Sequence, residues 1–159
     1  EDLYQCMKQG KSSQAADILI KSLQEDTENT LPLLNQLLLK MITDNESLDS
    51  KRTINLFQRI PVEQLAPAII KCASTTKDSA VSLSFYVFSA LLYSEKAPDQ
   101  ALEQWKVATE FCINLIGTVS SEDSEYFRCC LVQQCLPHIT DWSIFSSSIL
   151  EQLIFETIR

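Results

Sequence analysis

Four side chains that can ligate metals or act as nucleophiles lie close together late in the sequence: Cys129, Cys130, Cys135 and His138. A zinc site needs four nitrogen or sulfur ligands that converge tetrahedrally. On a helix Cys129 and Cys130 point about 100° apart, and the spacing from Cys130 to Cys135 aligns them poorly. No second ligand pair occurs at zinc-finger spacing. We therefore expect no metal site and interpret these thiols as small hydrophobic core groups.

The single histidine raises the question of acid–base chemistry. His138 and Asp141 could form a relay with a remote Ser or Cys, because such triads are spatial rather than sequential. The segment "LPHITD" is more typical of a connection between helices, with His138 in solvent and Thr140 or Asp141 capping the next helix. Neither of the two glycines stands in a phosphate-binding motif. We expect no enzymatic activity and no cofactor.

Composition and charge indicate a soluble globular chain. Of 159 residues, 45% are hydrophobic and 21% charged, which predicts one domain over residues 1–159 with a real core. The net charge is −8, and residues 107–159 hold two Lys/Arg against seven Asp/Glu, a balance that disfavours nucleic acid. The longest apolar run, "LPLLNQLLLKMI", is far shorter than the roughly 20 residues that span a bilayer. No membrane partner is expected.

The six cysteines show no C-x-x-C pair and lie inside apolar helical patterns. This usage predicts reduced thiols and an intracellular protein, cytoplasmic or nuclear. Because the chain starts at Glu1 rather than at methionine, we expect it to be a piece of a longer chain or a processed product.

The apolar residues recur at three- and four-residue spacing, which predicts an all-α fold without strands. Turn and cap residues divide the chain into about nine helices. Thr30 is expected to cap the third of them, with Pro32 in its first turn. The predicted ranges are 2–9, 12–26, 31–43, 50–60, 62–74, 79–94, 98–117, 122–136 and 141–158.

Two stretches carry a family resemblance. "YQCMKQGKSSQAADILIKSL" has a turn glycine at Gly10, followed by a small residue at Ala15 and a large one at Leu19. "SFYVFSALLYSEKAPDQALEQWKVAT" repeats the small and large positions, although Lys96 replaces the turn glycine. Both resemble the tetratricopeptide repeat, a helical hairpin that recurs every ~34 residues. The resemblance implies stacked antiparallel hairpins in an irregular α-solenoid.

The same resemblance implies a peptide-binding groove lined by the first helix of each hairpin. Tyrosine and methionine side chains there suit an extended or helical peptide. The alternative is that these side chains pack against the intervening hairpins. The implied groove residues are Tyr4, Met7 and Lys8 in the first copy, and Leu83, Tyr86, Ala90 and Tyr93 in the second.

The last segment, "DWSIFSSSILEQLIFETIR", offers more apolar area than one neighbouring helix hides, with Trp142, Phe145 and Phe155 as its aromatic residues. We expect it to be covered by a continuation of the solenoid, by a second copy in a homodimer, or by another protein. The alternative is that it belongs to the internal core.

One stretch points to a different function. "TINLFQRIP" (Thr53 to Pro61) resembles the closing helix of a pentatricopeptide unit, a relative of the tetratricopeptide repeat that binds RNA, and Lys51, Arg52 and Arg59 supply positive charge. We expect a non-catalytic scaffold that binds a protein or peptide, with single-stranded RNA binding as the alternative.

Overall fold

The structure, a computed structural model, describes residues 2–44 and 48–158, and over these ranges it is all-helical without a strand. This confirms the predicted all-α class. A π-helical turn, Leu131–Cys135, and two 3-10 turns, Leu136–His138 and Trp142–Ile144, separate the last two α-helices. The nine α-helices in the described ranges are α1 Asp2–Lys8, α2 Ser12–Glu25, α3 Thr27–Thr43, α4 Leu48–Gln58, α5 Val62–Thr75, α6 Ser79–Lys96, α7 Pro98–Ile116, α8 Ser121–Cys130 and α9 Ser147–Thr157.

The chain, predicted as one domain, groups into two compact units, Glu1–Thr76 and Lys77–Arg159. In the first unit α2 contacts α1, α3, α4 and α5 and is the central helix. In the second unit α7 is central and contacts α6, α8 and α9. Each unit has a core of fully or almost fully buried side chains, among them Leu19, Leu34, Leu38, Leu56 and Leu65 in the first, and Phe85, Trp105, Ala108, Leu131 and Cys135 in the second.

The first helical connection depends on Gly10, whose φ is +76°. The Gly10 amide donates to the Met7 carbonyl at 3.1 Å and the Lys11 amide to the Cys6 carbonyl at 2.8 Å. These two bonds form a Schellman motif, which satisfies the last carbonyls of α1 and needs a left-handed residue. The expected turn at Gly10 is therefore confirmed.

Short polar side chains begin several helices by accepting hydrogen bonds from amides of the first turn. Asp78 caps α6 and accepts from the Ala80 amide at 3.0 Å. Ser120 caps α8 and Ser146 caps α9 in the same way. The helix α7 starts without such a cap, and Pro98 in its first turn favours the helical φ.

The start of α3 differs from the prediction. The helix begins at Thr27, and Asp26, rather than Thr30, is the N-cap, because its carboxylate accepts from the Asn29 amide at 3.4 Å. The Thr30 hydroxyl instead donates to the Asp26 carbonyl at 2.7 Å. Pro32 consequently lies inside the helix, where it lacks the amide that would bond back to residue 28.

The predicted helices 122–136 and 141–158 are both shorter than expected. The Leu136 amide donates to the Leu131 carbonyl, a π-type bond, and Pro137 has no amide with which to continue the helix. Ser146 has an extended backbone (φ −67°, ψ 161°), so α9 begins only after it. The last segment is thus a 3-10 turn followed by a separate helix.

Candidate protein-binding surface

The N-terminal recess is a shallow depression formed by α1, α3 and α4. Three predicted groove residues, Tyr4, Met7 and Lys8, line it, and the Tyr4 hydroxyl donates to Oε1 of Gln36 at 3.2 Å. Its volume is about 50 Å³, enough for the tip of one side chain and too small for a length of peptide. The other lining residues are Leu37, Lys40, Arg52 and Thr53.

The groove residues implied on α6 have little open surface. Leu83 and Tyr93 are buried, at 2% and 7% exposure, and Ala90 is fully buried. Tyr86 is half-buried, and its ring lies 4.8 Å from that of Phe111 on α7. Burial of these side chains leaves little of the implied groove face of α6 open to a peptide.

The C-terminal surface is the apolar face formed by Trp142, Ile154, Phe155 and Ile158. Their exposures are 44%, 60%, 54% and 77%, which is unusual for such large apolar side chains on one short segment. Only Leu153 of α9 is buried. The excess of apolar area expected for the last segment is therefore present on the surface.

A groove runs beside these residues, with a volume of about 320 Å³. Leu150, Leu153, Ile154 and Thr157 line it at i, i+3, i+4 and i+7 spacing, which is one face of α9. Leu136 and Trp142 complete it from the two 3-10 turns. Phe145 does not line this groove, because it is buried at 5% exposure.

Leu136 is the lining residue that the sequence analysis missed. Because Leu136 precedes Pro137, the sequence predicts a connection between helices there rather than part of an apolar stripe. Helical periodicity therefore does not indicate that Leu136 lines a groove. Leu136 lies in the groove because the 3-10 turn Leu136–His138 contacts α7, the helix against which α9 also packs.

Two polar features hold α9 in position. The Ser146 hydroxyl accepts from the Ile149 amide at 3.3 Å and caps the helix. Nε of Arg128 on α8 donates to Oε1 of Glu156 at 2.9 Å, and Nη1 donates to Glu125 at 2.7 Å. The hydrogen bond to Glu156 raises the pKa of the Arg128 guanidinium, which stays charged. The segment is therefore a fixed element with an exposed apolar face.

The thiols of the second unit make a buried cluster. Cys112 Sγ donates to the Phe127 carbonyl at 3.1 Å. The interaction with the Cys135 side chain, together with burial, raises the pKa of Cys112, while the interaction with Cys112 lowers the pKa of Cys135. Burial also raises the pKa of Cys130. Over residues 2–44 and 48–158, no three His, Cys, Asp or Glu side chains are grouped as metal ligands.

Not every cysteine is buried, contrary to the expectation. Cys129 is exposed and Cys6 is half-buried, while the other four are core residues. The exposure of Cys129 follows from the burial of its neighbour Cys130, because adjacent helical positions point about 100° apart and only one of them can face the core.

His138 is exposed but not simply solvated. Its ring stacks on the indole of Trp105 at 4.0 Å between centroids, with 2° between the planes. The indole Nε1 donates to the Ser94 hydroxyl at 2.9 Å. Asp141 caps the following turn as predicted: Oδ1 accepts from the Ser143 amide and hydroxyl, which lowers the Asp141 pKa.

The stretch "TINLFQRIP", which the sequence analysis connects with RNA binding, contributes mainly to the core. Leu56, Phe57 and Ile60 are buried at 0–1% exposure. Nη1 of Arg59 donates to the Ser13 hydroxyl at 3.1 Å, so this cation is used in a contact between helical segments.

Comparison with protein-family models finds no match to the chain, and comparisons with curated proteins and with solved structures find none. Among the helices in the described part of the chain, none has both the length and the apolar character needed to cross a membrane. Function is accordingly inferred from the surfaces described above.

Proposed function

We propose that this protein is a non-catalytic interaction scaffold, built of stacked helical hairpins of tetratricopeptide-like type. It binds another protein, or a helical peptide of one, through the C-terminal surface. The N-terminal recess is a smaller, secondary contact that accepts a single side chain.

The pairing of α6 with α7 supports the hairpin arrangement. Close to the connection at Ala97, Ser94 bonds to Trp105, and far from it Tyr86 packs on Phe111. Contacts in this order are those of antiparallel helices. Two small side chains of α7, Ala101 and Ala108, are buried, which lets the two helices approach closely.

The α1–α2 pair supports it as well. The left-handed Gly10 closes a tight turn of the kind that joins two antiparallel helices. Beyond the turn, Ala15 and Leu19 on α2 are completely buried. A buried small side chain followed one turn later by a buried large one supports the comparison with a tetratricopeptide-like hairpin.

The observation that carries the binding role is the exposure of α9. The free-energy gain from covering apolar surface is about 25 cal/mol per Å², so an exposed Ile154, Phe155 and Ile158 together favour association. Phe155 is an exposed aromatic residue of the kind enriched in interface cores, and Trp142 belongs to a residue type enriched in hot spots. A rigid helix that presents such residues is suited to a partner with a complementary apolar face.

The test is affinity capture followed by reconstitution. The immobilised chain is incubated with cell extract, the retained protein is identified, and its binding is measured again with both components purified. The test variant is Ile154→Gln/Phe155→Gln, both of whose side chains are exposed. Phe145 is left unchanged, because a substitution at this buried position would disrupt the fold.

Leu91→Gln is the matched control, since Leu91 is an exposed apolar residue of α6 at 43% exposure. We expect the double variant to weaken binding of the purified partner by more than tenfold and the control to leave it unchanged. Equal binding by all three proteins would refute the assignment of the surface.

Single-stranded RNA binding is the alternative function. Its basis in "TINLFQRIP" is weakened because the apolar residues of that stretch form core. Saturable, salt-dependent affinity for single-stranded RNA would favour it over the protein-binding role.

A further inference from the structure

We infer that the occupant of the C-terminal groove is a basic amphipathic helix of another protein, with an apolar face and flanking Lys or Arg residues. This inference rests on the protein-binding role proposed above and names the chemistry of the partner.

The shape of the groove fits a helix. The lining residues Leu150, Leu153, Ile154 and Thr157 form a straight stripe along α9, which at 11 residues is about 16 Å long. Leu136 and Trp142 add apolar lining from outside α9. An apolar groove lined along a helix accepts the ridge of a second helix, whose anchors repeat at i, i+3, i+4 and i+7.

The charges at its rim are negative. Glu151 is exposed one turn before Ile154 and Phe155 on the same helix, so its carboxylate flanks the apolar face. Asp141 is exposed beside Trp142, and its hydrogen bonds to Ser143 lower its pKa and keep it ionised. Each of the two exposed carboxylates is thus next in sequence to a residue that lines the groove, Glu151 to Leu150 and Asp141 to Trp142.

Arg128, the cation bonded to Glu156 of α9, does not offset this charge. Arg128 is bonded to both Glu125 and Glu156, so its positive charge is already paired within the unit. Over residues 107–159 the sequence has seven Asp/Glu against two Lys/Arg. The groove therefore lies in a negative field, which attracts a basic partner and speeds its encounter.

The same field opposes pairing with a second copy. A two-fold dimer would place this surface, with its exposed Glu151 and Asp141, against an identical acidic surface. Like charges placed opposite each other at an interface are a source of discrimination against the wrong partner. A basic helix covers the apolar face and pairs with the acidic side chains beside it, whereas a second copy covers only the apolar face.

The experiment uses three synthetic helical peptides of about four turns, roughly 14 residues. The first has leucine on one face and lysine on the other, the second replaces lysine by glutamate, and the third keeps lysine but replaces leucine by serine. Binding is followed by anisotropy of labelled peptide and by the emission of Trp142, which should shift to the blue when the indole is covered. We expect only the lysine–leucine peptide to bind, and its affinity to fall as salt is raised.

Two variants divide the apolar and charge contributions. Ile154→Gln/Phe155→Gln should weaken the lysine–leucine peptide by about tenfold, because of these two side chains only Ile154 lines the groove. Glu151→Lys should weaken that peptide and strengthen the glutamate–leucine peptide. Glu25→Lys, an equal charge change at an exposed residue of α2, is the control and should change neither affinity.

The results separate this inference from the proposed function. The inference is overturned if the lysine–leucine peptide does not bind, if both charge forms bind equally, or if sedimentation shows a dimer that Ile154→Gln/Phe155→Gln abolishes. If the protein still captures a purified partner through Ile154 and Phe155 in any of these cases, the binding role stands and only the partner chemistry is wrong. If capture is also lost, the proposed function fails as well.

Discussion

Arg128 and Glu156 join α8 to the last helix through a 2.9 Å bond from Nε to Oε1, and both side chains are largely shielded from solvent, at 16% and 14% exposure. The second partner of Arg128, Glu125, is 70% exposed and lies on the same helix as the arginine. Only the bond to Glu156 therefore fixes one helix to another. It holds in place a helix that buries a single side chain, Leu153.

The Arg128–Glu156 bond can be tested with two matched substitutions. Glu156→Ala and Glu125→Ala each remove one carboxylate from the same guanidinium, and both introduce a good helix former. We expect Glu156→Ala to accelerate amide hydrogen exchange in Ser147–Thr157 severalfold, because local opening of α9 becomes easier. Glu125→Ala should leave exchange in α9 unchanged. Equal effects from the two substitutions would mean that the bond does not position the helix.

The two glycines give a second paired test. At Gly10 an added Cβ would meet no atom within 4 Å, but the φ of +76° is unfavourable for alanine. Gly10→Ala should therefore destabilise the fold by about 1 kcal/mol. Gly117 has a right-handed backbone (φ −80°), and its Cβ would make an ordinary 3.7 Å contact with the Asn114 carbonyl.

Gly117→Ala should accordingly stabilise the protein by about 0.5 kcal/mol through the unfolded chain. Urea unfolding of both variants measures the two values. The prediction fails if the signs are the same, because only the left-handed conformation distinguishes the two positions.

The helices could be predicted because their signals are local. Gly10, Pro98 and the serines before α8 and α9 act on their own neighbours, and apolar periodicity reports which face is buried. The start of α3 was predicted wrongly because Asp26 and Thr30 are both good caps, and the choice depends on packing. The break at Ser146 was missed because the apolar pattern continues through it.

The candidate site could be predicted only in part. The excess of apolar residues after Trp142 is visible in the sequence, and the structure exposes Ile154, Phe155 and Ile158. Periodicity does not show which of several apolar faces is covered, so the sequence predicts Phe145 at the surface although it is buried. Leu136 joins the groove through tertiary contacts, for which the sequence carries no local signal.

Thiol reactivity should follow burial. Cys129 is exposed and Cys6 half-buried, whereas the remaining four thiols are core groups. In the native protein we expect an aromatic disulfide reagent to modify Cys129 first and Cys6 more slowly, and the other four only on unfolding. Cys129→Ser should remove the fast phase of thiol modification. Cys130→Ser, at the next position, should leave that phase unchanged. A fast phase that persists in Cys129→Ser would contradict the burial pattern.

Stability at alkaline pH should depend on Cys72. Burial raises the pKa of this thiol from its ordinary 9.0 to about 11, so the folded state keeps a proton that the unfolded chain has lost. The contribution of this protonated thiol to the free energy of unfolding is complete below about pH 9 and disappears as the pH rises through about 11. Urea midpoints of the native protein should therefore fall more steeply over this range than those of Cys72→Ala. Parallel curves would contradict the shift, because tyrosines and lysines titrate equally in both proteins.

The central claim is that the C-terminal surface is where this protein meets its partner. Its most direct test is amide hydrogen exchange of the chain, alone and saturated with the purified captured protein. We expect the partner to slow exchange in α9 (Ser147–Thr157) and in the turn Trp142–Ile144, with little change in α2 or α4. Protection confined to other helices, or no protection in α9 at saturation, would contradict the claim.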